Sequence, residues 1–111
     1  MNNCIFCKII AKQIPTDFLY EDDYMVAFRD IFPKAKVHLL LIPKIHIPNL
    51  SALSNDHSAL ISQLVLTLPK LALSQGLDNG FRTVINTGAG GGQEIDHLHF
   101  HLLGGGMLPK L

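Results

Sequence analysis

The sequence predicts an α+β domain: a mainly antiparallel sheet of five strands with one long helix and one short helix. Three observations lead there. Strand-like segments outnumber helical ones, an acidic turn links the first two strands as a hairpin, and one long apolar-striped segment lies between the third and fourth strands. At 111 residues the chain makes a single domain over residues 1–111, with no room for a second. The long helix should cover one face of the sheet and leave the other for a site or a partner.

The elements follow from local pattern. Ile5, Phe6, Ile9 and Ile10 recur at the spacing of one helical face and Pro15 ends the run, which predicts a short amphipathic helix. Between Phe18 and Arg29, β-branched and aromatic residues flank Glu21-Asp22-Asp23 and predict two strands joined by a tight turn. Asp30, Pro33 and Lys34 then break the pattern before residues 37–42, a buried strand closed by Pro43 and Pro48. Ser54, Asn55 and Asp56 offer N-caps to a helix striped by Leu60, Ile61, Leu64, Val65, Leu68, Leu71 and Ala72, with Gly76 where a C-terminal cap belongs. His57 falls in its first turn, facing water. Pro69 lies inside that helix, removes one backbone donor and predicts a kink or break. Residues 81–86 read as the fourth strand, 87–93 as a glycine-rich loop, and 96–103 as an alternating final strand.

Composition excludes several function classes. Apolar residues are 48% of the chain and charged ones 16%, enough to fill a core and too little charge for disorder. Nine Lys plus Arg balance nine Asp plus Glu, so the field a general nucleic-acid binder needs is missing. Any anionic ligand must be held by local geometry. The amino terminus lacks the basic flank and apolar stretch of a signal peptide, and no apolar run reaches the roughly 20 residues that cross a bilayer. The expectation is a soluble cytoplasmic protein, and near-zero net charge on a small domain favours a dimer. Cys4 and Cys7 are the only cysteines, too close and too few to staple a secreted fold. Metal binding, redox chemistry or plain packing beside Ile5 and Phe6 are the alternatives, and the lack of a surrounding βαβ unit speaks against a thioredoxin-like role.

The chemistry concentrates in His97-Leu98-His99-Phe100-His101-Leu102. Side chains alternate across a strand, so the three histidines share one face, neighbours about 7 Å apart, while the apolar residues share the other. Such a row suits either of two chemistries. Three neutral imidazoles with an open fourth position make a hydrolytic zinc site. Alternatively, one imidazole attacks phosphorus covalently while its neighbours donate hydrogen bonds. Just upstream, Gly88-Ala89-Gly90-Gly91-Gly92-Gln93 lets backbone N–H groups converge on an anion, which favours phosphate over bare metal. Without its histidine neighbours that loop would read as a flexible connector.

Taken in order, Cys4-x-x-Cys7, Tyr20-Glu21-Asp22-Asp23, Ala27-Phe28-Arg29-Asp30-Ile31, His38, Ile42-Pro43-Lys44-x-His46, Asn86, Gly92-Gln93 and His97-x-His99-x-His101-Leu102-Leu103 resemble the histidine triad superfamily. The likeness runs from Cys4 to about Gly105 and is strongest to its small nucleotide-binding branch, the HINT-type proteins. The resemblance implies a purine nucleoside phosphoramidase, or a related nucleotide hydrolase, acting at the α-phosphate. His99 would be the nucleophile of a covalent nucleotidyl-histidine that water then hydrolyses, with no catalytic metal required. His101 and His38 would contact the phosphate or leaving group, and the His97 carbonyl would orient the His99 ring. Asn86, Gly92 and Gln93 match positions near the phosphate and leaving group, and Asp30 matches the carboxylate on the ribose hydroxyls. Ile5, Phe6, Ile9, Phe28, Ile31 and Leu40 match an apolar slot for a purine. A carboxylate can accept from two hydroxyls and a base needs flat apolar walls, so the set is coherent.

The resemblance also implies further features. Cys4, Cys7, His46 and His97 match a structural zinc site of some branches, and relatives form homodimers through the long helix and the edge of the fourth strand. At Glu94 many relatives carry a serine that reaches the leaving nitrogen; an anion there either assists a cationic amine or repels phosphate. Arg29 replaces a His found in several relatives, and the tail 104–111 is short. Two other readings stand beside the enzyme. One is a non-catalytic purine-nucleotide-binding regulatory module. The other is a zinc-dependent hydrolase built on the three-histidine face, against which the glycine-rich donors and Asp30 argue.

Overall fold

The computed structural model describes residues 3–111. Seven elements follow one another: α1 (Ile5–Ile10), β1 (Tyr20–Glu21), β2 (Met25–Arg29), β3 (Val37–Pro43), α2 (Ser58–Ser74), β4 (Arg82–Val84) and β5 (Phe100–Gly104). They form the expected five-stranded sheet, in the order β1-β2-β3-β5-β4 with every neighbouring pair antiparallel. Among the described residues no helix is long and apolar enough to cross a membrane.

Period-two alternation divides the apolar residues between two layers. Met25, Ala27, Leu39, Leu41, Phe100 and Leu102 point to one face, where Leu64, Leu68 and Leu71 of α2 cover them. Val26, Phe28, Leu40 and Ile42 point to the other and meet Phe6 and Ile9 of α1. Leu98 belongs to the first layer, so the apolar side of the histidine segment is core, as its spacing predicts. The β1–β2 turn is set by Asp22, whose carboxylate accepts from the Tyr24 and Met25 amides at 2.7 and 3.0 Å.

Four details depart from the sequence reading. First, α2 is one uninterrupted helix through Pro69. The carbonyl that loses its partner is that of Val65, and Val65 is 48% exposed, so water can replace the missing donor. Second, Ser54 caps a separate 3₁₀ turn, Asn55–His57, before α2 begins at Ser58. His57, expected to face water, is partly buried and accepts the Ser54 amide at 3.0 Å in a capping box. Third, β4 spans only Arg82–Val84 of the expected 81–86.

Fourth, β5 pairs only from Phe100, although alternation is legible from residue 96. In the β3–β5 register Leu41 stands opposite Phe100, which would put Pro43 opposite Leu98. Proline has no N–H to give a ladder, so pairing stops there and the Leu98 amide turns to the Ile47 carbonyl at 2.6 Å. The C-terminus of α2 closes as the sequence suggests. Gly76, at φ +76°, donates to Leu73 at 3.0 Å, and Leu77 donates to Ala72 at 2.9 Å and buries its side chain in the α2 layer.

Candidate active site and an adjoining Cys/His centre

Three of the expected histidines meet on the α1 side of the sheet. β3 and β5 run side by side with Leu40 opposite His101, which places His38 diagonally across from His101. Their rings meet through a 2.9 Å contact between His38 Nε2 and His101 Nδ1. His99 lies next to His101, with ring centroids 5.0 Å apart, and the Phe6 ring stands edge-on to His99 at 5.2 Å.

The hydrogen-bond partners assign the proton on each ring. The His97 carbonyl can only accept, so His99 donates from Nδ1 to it at 2.6 Å and keeps a lone pair on Nε2. The Lys34 amide can only donate, so Nδ1 of His38 accepts it at 3.0 Å and the proton of His38 sits on Nε2. That proton is given to Nδ1 of His101, which leaves the proton of His101 on its own Nε2. The result is a bare nitrogen on His99 beside an N–H donor on His101, the pair of groups that attack at an electrophile with stabilisation of a developing negative charge would require.

Both members of the His38–His101 pair are neutral. Burial depresses the His38 imidazole, with Asp30 opposing and Lys34 adding to the effect. Burial, then His99 and His38, push His101 down to about 4 against the pull of Asp30. Geometry explains the resistance: one proton already lies between the two rings, and the remaining lone pair of His38 is occupied by the Lys34 amide.

The other expected residues divide into groups. Asp30, Asn86 and Val84 line a cleft of about 250 Å³ with His38 and His101. Asp30 accepts the Phe32 amide on Oδ1 at 2.8 Å and sets Oδ2 3.4 Å from His38 Nε2. Asn86 donates to the Gly91 carbonyl at 2.8 Å, and Gly92 takes the left-handed conformation at φ +78° that closes the Ala89–Gly91 turn. Gln93 spends its amide on the loop itself, accepting from Gly88 at 2.8 Å and donating to Pro48 and Ile95 at 2.7 and 2.9 Å. Phe6, Ile9, Phe28 and Leu40 are packed together in the α1 layer, whereas Ile5 and Ile31 are exposed. Glu94 lies elsewhere, beside Cys4, His46 and Asp96. Phe32, Val84, Leu103 and the Lys34 amide belong to the cleft but escaped the sequence reading. A Phe next to Ile31 at a strand end was the available signal for the first.

His97 does two jobs with different atoms. Its carbonyl holds His99, while its fully buried ring turns toward the cysteines. Its Nε2–H donates to the Pro43 carbonyl at 2.9 Å, which leaves Nδ1 as a lone pair. That nitrogen lies 3.3 Å from Cys4 Sγ, 3.6 Å from Cys7 Sγ and 3.1 Å from His46 Nδ1, and Cys7 Sγ is 3.3 Å from His46 Nδ1. Ligands around a tetrahedral zinc stand about 3.3–3.8 Å apart, so two thiols and two imidazoles at this spacing fit such an ion. The bond to Pro43 is the outer contact that orients a ligating imidazole. Burial raises the Cys4 thiol above its ordinary value, a cost that a bound cation would offset.

Asp30, His38 and His101 also bring ligand-type atoms within 4.8 Å of one another. Binding a metal through His38 Nε2 would force the proton onto Nδ1, against the N–H of Lys34. That contact opposes a metal bound through His38 Nε2.

A pH dependence follows. An unfolded histidine takes up a proton near its ordinary value of 6.5, whereas folded His38 and His101 refuse one until lower pH. Their contribution to stability is complete above about pH 6.5 and is lost as pH falls toward about 4. Urea midpoints should therefore drop between about pH 7.5 and about pH 5, and His101→Gln should shrink that drop. An undiminished drop in the variant would assign the effect to other groups.

Comparison with known proteins identifies the family of the chain. The family model described as "Scavenger mRNA decapping enzyme C-term binding" matches residues 3–108. "Protein HitA" of Neisseria gonorrhoeae is 53% identical over 104 residues, covering 94% of this chain and 97% of that protein. The "Purine nucleoside phosphoramidase" of Escherichia coli is 44% identical over 102 residues, 91% of this chain and 86% of that protein. A crystal structure of a HIT family hydrolase from Legionella pneumophila superposes with a TM-score of 0.93 at 45% identity, covering 96% of each chain. The chain belongs to the histidine triad (HIT) superfamily.

Proposed function

We propose that this protein hydrolyses purine nucleoside phosphoramidates at the α-phosphorus through a nucleotidyl-histidine on His99. The observation that carries the reading is the 2.6 Å bond from His99 Nδ1 to the His97 carbonyl, which leaves the lone pair of the neutral ring on Nε2. Its lone pair forms the N–P bond while the bond from phosphorus to the amine breaks. The departing nitrogen keeps that electron pair and draws one proton from bulk water. Water then attacks phosphorus, the His99–P bond breaks, and a proton returns to solvent with the nucleoside monophosphate released. His101 Nε2–H donates to a phosphoryl oxygen throughout, and the Lys34–His38 chain holds that proton in place. The name of the Escherichia coli relative supports the substrate class. Asp30 at the edge of the cleft is suited to ribose hydroxyls.

Zinc at Cys4, Cys7, His46 and His97 is part of the same reading, as a structural ion that takes no part in the covalent step. So is a cytoplasmic homodimer. β4 is an edge strand, and α2 exposes Val65, Leu66 and Leu73 on its outer side, an apolar surface that a second copy would cover.

Two outcomes are expected. His99→Ala should cut turnover of adenosine 5′-phosphoramidate by about 1,000-fold or more while AMP binding survives. Unchanged turnover would remove the covalent role of His99. Light scattering should give twice the chain mass for the wild type and a monomer for Leu73→Glu; a wild-type monomer would refute the dimer.

A further inference from the structure

The connection from β2 to β3 gathers positive charge that the reaction at the α-phosphorus leaves unused. Arg29, Lys34 and Lys36 stand there against the single carboxylate of Asp30, in a chain whose charges balance overall. No ion pair among the described residues includes any of the three cations. Arg29 and Lys36 line a second cavity, of about 130 Å³, together with Asp30, Pro33, His38 and Gln75. Asp30 and His38 border both this cavity and the cleft of the histidine rings, whereas His101 borders the cleft alone. Asp30 therefore stands at the boundary between the reacting rings and two free cations. Its Oδ1 accepts the Phe32 amide at 2.8 Å, which leaves Oδ2 as its more open oxygen, and one hydroxyl is enough to use it. A ribose hydroxyl donating to Oδ2 holds the vicinal ribose oxygen close to the same carboxylate, and a group esterified on that oxygen has the second cavity as its neighbour.

We propose that the cavity at Arg29 and Lys36 is a subsite for a phosphate monoester on the ribose, so that the chain prefers purine nucleotides phosphorylated at the 2′ or 3′ oxygen as well as at the 5′ position. Such a phosphate carries about −1.5 to −2 charge at pH 7. Arg29 offers it a bidentate fork, Lys36 a point charge, and the Gln75 side-chain amide a further donor. Asp30 is the one anionic group that lines the cavity, and two cations outweigh it. Both cationic side chains are exposed, so their heads can close on the phosphate without breaking an ion pair. The remaining ribose hydroxyl still donates to Asp30. The inference rests on the reading of Asp30 as the ribose carboxylate, and it is read from binding alone.

The test is calorimetric titration of the full chain with AMP, adenosine 2′,5′-bisphosphate, adenosine 3′,5′-bisphosphate and ADP. One of the two bisphosphates should bind about 10-fold or more tighter than AMP, and the isomer that does so identifies the phosphorylated oxygen. ADP carries its added charge at the other end of the nucleotide and should gain less than about threefold. Arg29→Gln combined with Lys36→Gln should abolish the bisphosphate gain and leave AMP affinity within about twofold, while Arg29→Lys should keep part of the gain. Equal binding of AMP and both bisphosphates would overturn the proposal. So would a gain for ADP as large as that for the bisphosphates, which marks general attraction of charge, or a gain that survives in the double variant. A double variant that loses AMP and bisphosphate affinity by the same factor would assign the two cations to the 5′-phosphate and overturn it as well. Absence of binding by all four nucleotides would instead refute the nucleotide reading, and the subsite with it.

Discussion

The chemistry proposed for this chain depends on one hydrogen bond, from Nδ1 of His99 to the carbonyl of His97 at 2.6 Å. A neutral imidazole has one proton and one lone pair, and that bond decides which nitrogen carries which. Beside it the β3–β5 ladder gives out at Pro43, and residues 97–99 precede β5 with polar groups bonded outside that ladder. Leu98 bonds to Ile47, the His97 ring bonds to Pro43, and the His97 carbonyl takes His99.

A second constraint is charge. His38, His99 and His101 crowd within hydrogen-bond or ring-contact distance, and three imidazolium ions could not share that space. The Lys34 amide resolves this by filling one lone pair of His38, which leaves the His38–His101 pair no place for another proton. Neutrality of the His38–His101 pair costs stability in acid, yet it fixes the proton of His101 on Nε2.

The layers were legible from periodicity, since alternation and helical spacing are properties of covalent geometry. Leu98, Phe100 and Leu102 went to the α2 layer and the histidines to the opposite side for that reason alone. Other features depend on contacts that no local pattern contains. The role of Lys34 belongs to its backbone amide, which every residue but proline offers, so its identity says nothing. Gln93 braces its loop against Pro48, a partner 45 positions away, and for that reason resembled a ligand-facing amide. The division of His97 into ring and carbonyl was invisible while the histidines were read as a uniform row. The early end of β5 followed from Pro43, but only once the register of β3 against β5 was known.

The central claim is that His99 carries a covalent nucleotide. Its most direct test is denaturing intact mass after brief exposure of wild type and His99→Ala to adenosine 5′-phosphoramidate, quenched so that phosphohistidine survives. An adenylate adduct on the wild type and none on the variant is the predicted result. Consumption of substrate with no adduct on either protein would contradict the claim.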